Sequence, residues 1–219
     1  MVTFENIRND AEIRAYIEAA DRTLSALGYT EHSFAHVGKV ADDAAGILLA
    51  VGRGEREVEL ARIAGYMHDI GNLVNRSDHS QSGAVMAFTI LRERGMSPSE
   101  IAEIVTAIGN HDEGTGVPVS ELSAALILAD KSDVRRTRVR NIKGYQYDIH
   151  DRVNYSVERS DLIVDRESAT ARLELTIDTS ISSIMDYFEI FLSRMTLCRH
   201  AAEKLGLTFK LSINGQSFI

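Results

Sequence analysis

The sequence predicts a mainly α-helical protein, in which a helical bundle is followed by a small α+β unit. From residue 7 to about residue 140, apolar residues recur at the three- and four-residue spacing of amphipathic helices. After residue 140 the spacing changes to strict alternation in three short stretches, with one long amphipathic segment before the last of them. We therefore expect a helical domain over residues 1–145 and a small β-β-α-β domain over residues 146–219.

Six helices are expected in the first domain, and glycine or capping residues mark their ends. Gly28 and Gly52 end the first two helices. The stretch from Ser97 to Glu100 resembles a capping box with proline at the first helical position, and Ser77-Asp78 is a further N-cap signal. The predicted helices cover residues 7–27, 36–51, 55–69, 79–94, 98–110 and 120–133.

In the second domain, the three alternating stretches are predicted strands, and the first two are close enough in sequence to form a hairpin. They cover residues 153–157, 173–177 and 207–213. A long amphipathic helix over residues 181–205, ended by Gly206, lies between the second and third strands. We expect its apolar face to cover the sheet, and a homodimer interface is the alternative use of that face.

Composition and charge exclude several classes of protein. The chain has 219 residues, of which 44% are hydrophobic and 26% are charged, which is typical of a globular protein. Its net charge of −8 lacks the basic footprint of extended nucleic-acid binding, so no such partner is expected. The single cysteine, Cys198, favours a reducing compartment, and no signal-peptide pattern or membrane-length apolar run is visible. We expect a cytoplasmic protein without a membrane partner.

The stretch around His68-Asp69 carries the clearest chemical signal. It ends an apolar helix, and adjacent histidine and aspartate side chains can meet one metal only if the helix stops there. We expect Gly71 to supply this stop, because glycine accepts the left-handed geometry of a residue that follows a helix. Asp130 follows another apolar run, where an unpaired carboxylate would be costly, so it is expected to pair with a cation or bind a metal.

Four further histidines lie in the same part of the chain, and three of them also have an ordinary structural interpretation. These are His32, His36, His79 and His111, and the structural interpretations concern the last three. His36 shares a face with the buried residues of its helix and could be a hydrogen-bonded core residue. His79 could be an exposed residue at a helix start, and the helix macrodipole could favour His111 at a helix end.

Taken together and in order, these residues resemble the HD superfamily of metal-dependent phosphohydrolases, whose helical core supplies metal ligands in this sequence order. The likeness covers about residues 30–140, and its motifs are His36-Val37-Gly38-Lys39-Val40-Ala41, Met67-His68-Asp69-Ile70-Gly71 and Leu128-Ala129-Asp130. It is closer to dinuclear members, the HD-GYP cyclic-dinucleotide phosphodiesterases and the symmetrical dinucleoside tetraphosphate hydrolases. Those members have two additional histidines, which correspond here to His79 and His111.

The resemblance implies a helical HD domain with two divalent transition metals. The first metal would bind two histidines and two aspartates, His36, His68, Asp69 and Asp130. The second would bind His79 and His111, with Asp69 as the bridge between the metals. Mixed imidazole and carboxylate ligands suit iron, manganese, nickel, cobalt or zinc. The expected reaction is hydrolysis of a phosphate ester or anhydride by metal-bound hydroxide, on a small phosphorylated substrate that we expect to be a nucleotide.

Phosphate charge also requires cationic groups beyond the metals. Lys131, next to the metal aspartate, and Arg76, in the loop before His79, are the candidates, and an ordinary solvated side chain is the alternative for each. His32, one turn before His36, is a candidate for a group that contacts a metal ligand or the substrate.

The sequence is compatible with two rival functions. One is an HD-fold protein that has lost turnover and acts as a ligand sensor or scaffold. The other is a mononuclear nucleotidase, in which His79 and His111 bind the substrate instead of a second metal.

Overall fold

Nine α-helices and a four-stranded sheet make up the chain, and the computed structural model describes all residues from Met1 to Ile219. The helices are α1 (Phe4–Asn9), α2 (Ala11–Ala26), α3 (Phe34–Ala50), α4 (Glu55–Met67), α5 (His79–Glu93), α6 (Pro98–Gly109), α7 (Glu121–Ser132), α8 (Ile149–Ser156) and α9 (Ile184–Lys204). The strands are β1 (Val157–Asp165), β2 (Thr170–Ile177), β3 (Thr208–Ile213) and β4 (Gln216–Ser217). The predicted class, a helical domain followed by a small α+β unit, is confirmed. None of the helices combines the length and apolar character that a membrane span requires.

Five of the six helices predicted for the first domain are found within two residues of their expected ends. The first one is wrong as a single element, because it is divided into α1 and α2 at Asp10. The Asp10 carboxylate accepts hydrogen bonds from the backbone N–H groups of Glu12 and Ile13, so it caps the start of α2. Aspartate competes with the helix for backbone donors in this way, which is why it favours a helix start over a helix interior.

The helical core is built from α3, α4, α6 and α7, which pack against one another. Gly65 of α4 allows a very close approach to α3, because a Cβ atom at this position would lie 2.7 Å from the Cα of Ala41. One continuous cluster of 51 buried apolar residues extends from these helices to α9 and the sheet. Because α9 packs against α7, the C-terminal unit lies directly on the helical bundle. The division of the chain after residue 145 stays a prediction.

The strands are ordered β1-β2-β3-β4 in the sheet. β1 and β2 form the predicted antiparallel hairpin, whereas β2 and β3 are parallel, with Leu173 opposite Leu211. Parallel neighbours need a crossover connection, and α9 supplies it. The helix contacts both β2 and β3, so it covers the sheet as expected, in addition to its contact with α7.

The first predicted strand is wrong over most of its length, because residues 149–156 form α8 and β1 begins only at Val157. The Asp148 side chain accepts hydrogen bonds from the N–H groups of His150 and Asp151 and so starts the helix. The fully buried positions are Val153, Ser156 and Val157. Val153 and Ser156 keep the i, i+3 spacing of a helix, and three alternating residues were too few to distinguish α8 from a strand.

Candidate metal centre

All six predicted metal ligands meet at one buried point in the helical bundle. His36 comes from α3, His68 and Asp69 directly follow α4, His79 is the first residue of α5, His111 follows α6, and Asp130 lies in α7. Each of these side chains is buried. The bundle therefore brings ligands from five helices to one place, although the sequence separates the first and last of them by almost a hundred residues.

Asp69 lies between two pairs of histidines and presents a different oxygen to each pair. Its Oδ2 is 3.2 Å from Nε2 of His68 and 3.5 Å from Nε2 of His36. Its Oδ1 is 3.5 Å from Nε2 of His79 and 4.0 Å from Nε2 of His111. The amide of Asn72 donates a hydrogen bond to the same Oδ1, at 2.9 Å, and so fixes the carboxylate plane.

Asp130 completes the first of these groups from the opposite side. Its Oδ1 lies 3.4 Å from Nε2 of His36 and 3.6 Å from Nε2 of His68. Its Oδ2 pairs with the ammonium group of Lys131 at 2.5 Å. On the other side of Asp69, the Nε2 atoms of His79 and His111 are 3.2 Å apart.

The other ring nitrogen of each histidine is fixed by an acceptor, which sets the direction of Nε2. Nδ1 of His68, His79 and His111 donates to the carbonyl oxygen three residues earlier in the chain, at 2.7, 3.1 and 2.6 Å. Nδ1 of His36 donates instead to the Asp133 carboxylate at 2.7 Å. With Nδ1 engaged as a donor, Nε2 is the nitrogen available to a metal in every case.

The arrangement fits a metal by an independent test. The Nε2 atoms of His36 and His68 are buried and have no hydrogen-bond partner in the protein, which is costly for a polar atom. Two groups bring three potential ligand atoms within 4.8 Å of one another: His36 with His68 and Asp130, and His68 with Asp69 and His111. Imidazole with carboxylate is a donor set for divalent transition metals.

Electrostatics in the metal-free protein divide the histidines into two kinds. Burial disfavours an imidazolium, yet the carboxylates of Asp69 and Asp130 outweigh it and raise the pKa of His68 to about 10. Burial, together with the charges of His68 and Lys131, lowers the pKa of His111 to about 3. His68 is therefore protonated in the metal-free protein and would have to lose this proton to bind a metal, whereas His111 is already in the neutral form that binds one.

Gly71 allows the start of α5, and with it His79, to approach the centre, but not by the predicted left-handed geometry, which is wrong. Its φ is not positive, and it lies in a 3₁₀ turn from Ile70 to Leu73. A Cβ atom there would lie 2.0 Å from the carbonyl oxygen of His79 and 2.4 Å from the amide nitrogen of Gly83. Glycine is needed because the first turn of α5 crosses directly over it. Asp78 is the residue with left-handed geometry, and its side chain makes no capping bond.

The centre opens into a cavity of about 490 Å³, and the three further predicted residues all line it. The Nε2 atom of His32 lies 4.0 Å from Oδ2 of Asp69. An Nη1 of Arg76 lies 3.4 Å from both Nε2 of His79 and the side-chain oxygen of Asn72. Lys131 is almost completely buried beside Asp130. The structure thus places these side chains at the centre, and their roles in chemistry stay predictions.

Several residues that shape the site were missed by the sequence analysis. They are Asp133, which accepts from His36, and Glu113 and Arg194, which pair with each other beside the cavity. Arg138 belongs to a short basic run, Lys131 with Arg135, Arg136, Arg138 and Arg140, that is more typical of a solvated face, but it is buried and pairs with Asp133. Burial acts against the charge of Asp133, but the hydrogen bond from His36 and the charge of Arg138 outweigh it and lower its pKa. The three-residue spacing from Asp130 was an available signal for Asp133. No signal marked Arg194, because α9 lies far from the motifs in sequence.

Comparisons with known proteins identify the family of the helical domain. The family model described as "HD domain" matches residues 33–141, the segment that carries all six predicted ligands. An uncharacterized protein of Methanocaldococcus jannaschii, MJ1020, is 25% identical over 186 residues, which cover 74% of this chain and 71% of that protein. A crystal structure described as a predicted HD superfamily hydrolase, from an uncultured Thermotogales bacterium, aligns with a TM-score of 0.44 and 22% identity. That alignment covers 62% of this chain and 75% of the other.

Proposed function

Because the chain belongs to the HD superfamily of metal-dependent phosphohydrolases through its HD domain, we propose that it hydrolyses a phosphate ester or anhydride of a small molecule at a dinuclear metal centre. The substrate we propose is a nucleotide. HD domain proteins bind divalent metals, and the histidine and aspartate groups of this chain are suited to hold them.

The observation that supports two metals is the position of Asp69. One carboxylate oxygen faces the pair His36 and His68, and the other faces the pair His79 and His111. A mononuclear site would use one of these oxygens and leave the second pair of buried imidazoles without a metal to bind. A bridging carboxylate uses both oxygens, so the proposal assigns His36, His68 and Asp130 to one metal and His79 and His111 to the other.

The residues of the chain prepare this centre before a substrate arrives. Two divalent metals held here would activate a water molecule and polarise phosphate oxygens. Asn72 holds the plane of Asp69, and Asp133 holds the ring of His36. Fixed ligands need no reorganisation during the reaction, which is the main requirement for electrostatic catalysis.

The cavity supports an anionic substrate of nucleotide size. Its volume of about 490 Å³ is within the range of roughly 300–1,000 Å³ that is typical of small-molecule sites. Arg76, Lys131, Arg138 and Arg194 all line it, so the negative charge of a phosphate group has cationic partners beside the metals. Tyr29 and Ile190 line the same cavity and offer apolar surface to a base or sugar.

The test begins with metal content. The purified protein, reconstituted with manganese or iron, is expected to carry about two metal atoms per chain by elemental analysis. It is also expected to hydrolyse at least one substrate in a panel of nucleoside mono-, di- and polyphosphates and cyclic dinucleotides. His79→Ala should lose one metal and most of the activity. His200→Ala, at an exposed position of α9, is the matched control and should change neither.

Three outcomes would contradict the proposal. Metal content near zero after reconstitution would remove the mechanism and favour a binding or scaffolding protein. One metal per chain, unchanged in His79→Ala, would favour the mononuclear nucleotidase. Two metals without hydrolysis of any compound in the panel would contradict the proposed substrate class.

A further inference from the structure

Arg194 brings a cation into the cavity from outside the HD domain. It lies in α9, whereas the HD domain ends at residue 141. Its Nε donates a hydrogen bond to Oε1 of Glu113 at 2.8 Å, and its guanidinium lies over the ring of Phe191, 4.3 Å from the centroid. These two contacts fix the side chain, while its two Nη groups make no hydrogen bond to the protein. Arg194 therefore presents to the cavity a fixed guanidinium whose Nη groups are free to donate hydrogen bonds.

Arg194 is also linked to the metal centre through one shared carboxylate. The Oε1 atom of Glu113 that accepts from Arg194 lies 3.7 Å from the ammonium nitrogen of Lys131. That ammonium group is in turn paired with Asp130. From the metal centre outward, the order is Asp130, Lys131, Glu113 and Arg194. Glu113 is thus an anionic group held between two cations, one step away from the ligands of the first metal.

We propose that Lys131 and Arg194 form a second phosphate position, which binds the phosphoryl group next to the one that is hydrolysed. Glu113 occupies this position in the free protein and yields it to the substrate. The proposal rests on the proposed phosphohydrolase function and narrows it. The substrate would be a phosphoanhydride with at least two phosphoryl groups, such as a nucleoside diphosphate or triphosphate, in preference to a monophosphate.

The chemistry of the three groups supports this assignment. A guanidinium matches the paired oxygens of a phosphate group as well as those of a carboxylate, and it favours two-point contact. A carboxylate carries one negative charge, whereas a phosphoryl group in a phosphoanhydride brings more oxygens and more charge to the same two cations. Glu113 lies in the turn after α6, only two residues from His111, so the loop that carries it belongs to the rim of the site.

A purely structural ion pair between α9 and the loop is the competing explanation, and the two explanations predict different signs. If Glu113 occupies a phosphate position, its neutral variant Glu113→Gln should bind phosphate compounds more tightly, because the competing charge is gone. If the pair only fastens α9, Glu113→Gln and Arg194→Ala should both lower stability and leave anion affinity unchanged.

The experiment is calorimetry on the metal-loaded full-length protein with two probes, imidodiphosphate, a pyrophosphate analogue that resists hydrolysis, and inorganic phosphate. Arg194→Ala is expected to weaken binding of imidodiphosphate by about 10- to 100-fold, the value of a charge-assisted hydrogen bond, with less than about a threefold effect on phosphate. Arg194→Lys should fall between the wild type and Arg194→Ala. Glu113→Gln should tighten binding of imidodiphosphate. Arg199→Ala, an exposed arginine of the same helix, is the control and should bind like the wild type.

The results separate failure of this inference from failure of the proposed function. A wild-type protein that hydrolyses phosphate compounds, with imidodiphosphate affinity unchanged in Arg194→Ala and Glu113→Gln, would overturn the second phosphate position alone. Weaker binding in Glu113→Gln would overturn it as well. A wild type that binds metals but hydrolyses nothing would overturn the proposed function. If Arg194→Ala does not fold, Arg194→Lys and Glu113→Gln still decide, because their expected shifts have opposite signs.

Discussion

Replacing Gly71 with alanine should disturb both the fold and the metal centre, because it forces two backbone segments apart. The added Cβ would lie 2.0 Å from the carbonyl oxygen of His79 and 2.4 Å from the amide nitrogen of Gly83, whereas an ordinary contact is 3.4 Å or longer. Both neighbours are backbone atoms of α5, so no side-chain rotation can relieve the overlap. The start of α5 must move away by roughly 1.4 Å, the difference between the two distances.

The size of this displacement decides the outcome. Metal–ligand distances tolerate deviations of only about 0.2 Å, so a displacement of about 1 Å at His79 is enough to remove it from a shared site. Overpacking a well-packed interior typically costs about 1–3 kcal/mol, and a contact between rigid backbone atoms belongs at the upper end of that range. We expect Gly71→Ala to lose about 3 kcal/mol of unfolding free energy and to retain no more than one metal per chain.

Urea unfolding and elemental analysis measure these two effects, and Gly46→Ala is the matched control. Gly46 is an exposed position of α3 with no atom within 4 Å of an added Cβ. There the same substitution should stabilise the protein by about 0.5–1 kcal/mol, because alanine favours a helix interior more than glycine does. A Gly71→Ala protein with wild-type stability and full metal content would refute the reasoning.

Three other outcomes follow from the geometry. Asp133→Asn should weaken metal binding about 10- to 100-fold in a chelator competition, because His36 loses its orienting carboxylate; unchanged affinity would argue against that role. The folded pKa of His68, about 10, exceeds its unfolded value of about 6.5. The stabilisation that this shift gives the metal-free protein should be fully present below about pH 6.5 and should be lost as the pH rises towards 10. Its loss should be measurable as a fall in melting temperature. Asp10→Ala should cost about 1–2 kcal/mol in urea unfolding, from the lost helix cap and the lost pair with Arg94, without changing metal content.

Most of the helical half of the fold was predictable because most of its helices are marked by local signals in the sequence. Ser97 illustrates this, since its hydroxyl accepts from the N–H of Glu100 at the start of α6 as the motif indicates. Apolar periodicity and helix caps depend on a few neighbouring residues, so they can be recognised without knowing the rest of the fold. The strand predicted from the alternation at residues 153–157 was wrong, because three residues carry too little periodic information to distinguish a strand from a turn of helix.

The candidate site was predictable only in part. The order of histidines and aspartates along the chain predicted which six side chains would meet, and the structure brings them together. Asp133, the partner of His36, could have been found from its spacing to Asp130, but contacts between elements far apart in the sequence could not be found from spacing. Arg194 is separated from Glu113 by 81 positions, and their contact exists only because α9 packs on α7. Gly71 was singled out correctly, but its reason lies in the crossing of α5, which the local sequence does not describe.

The acceptors of the four Nδ1 hydrogen bonds lie at different separations along the sequence, so the four histidines differ in how easily a mutation elsewhere can misalign them. His68, His79 and His111 each depend on a carbonyl only three residues away, so their ring orientation travels with their own segment of chain. His36 depends on Asp133, 97 positions distant. Any change that shifts α3 relative to α7 therefore reaches His36 first. During mutational drift or redesign of this protein, His36 is the proposed ligand whose alignment should fail before the others.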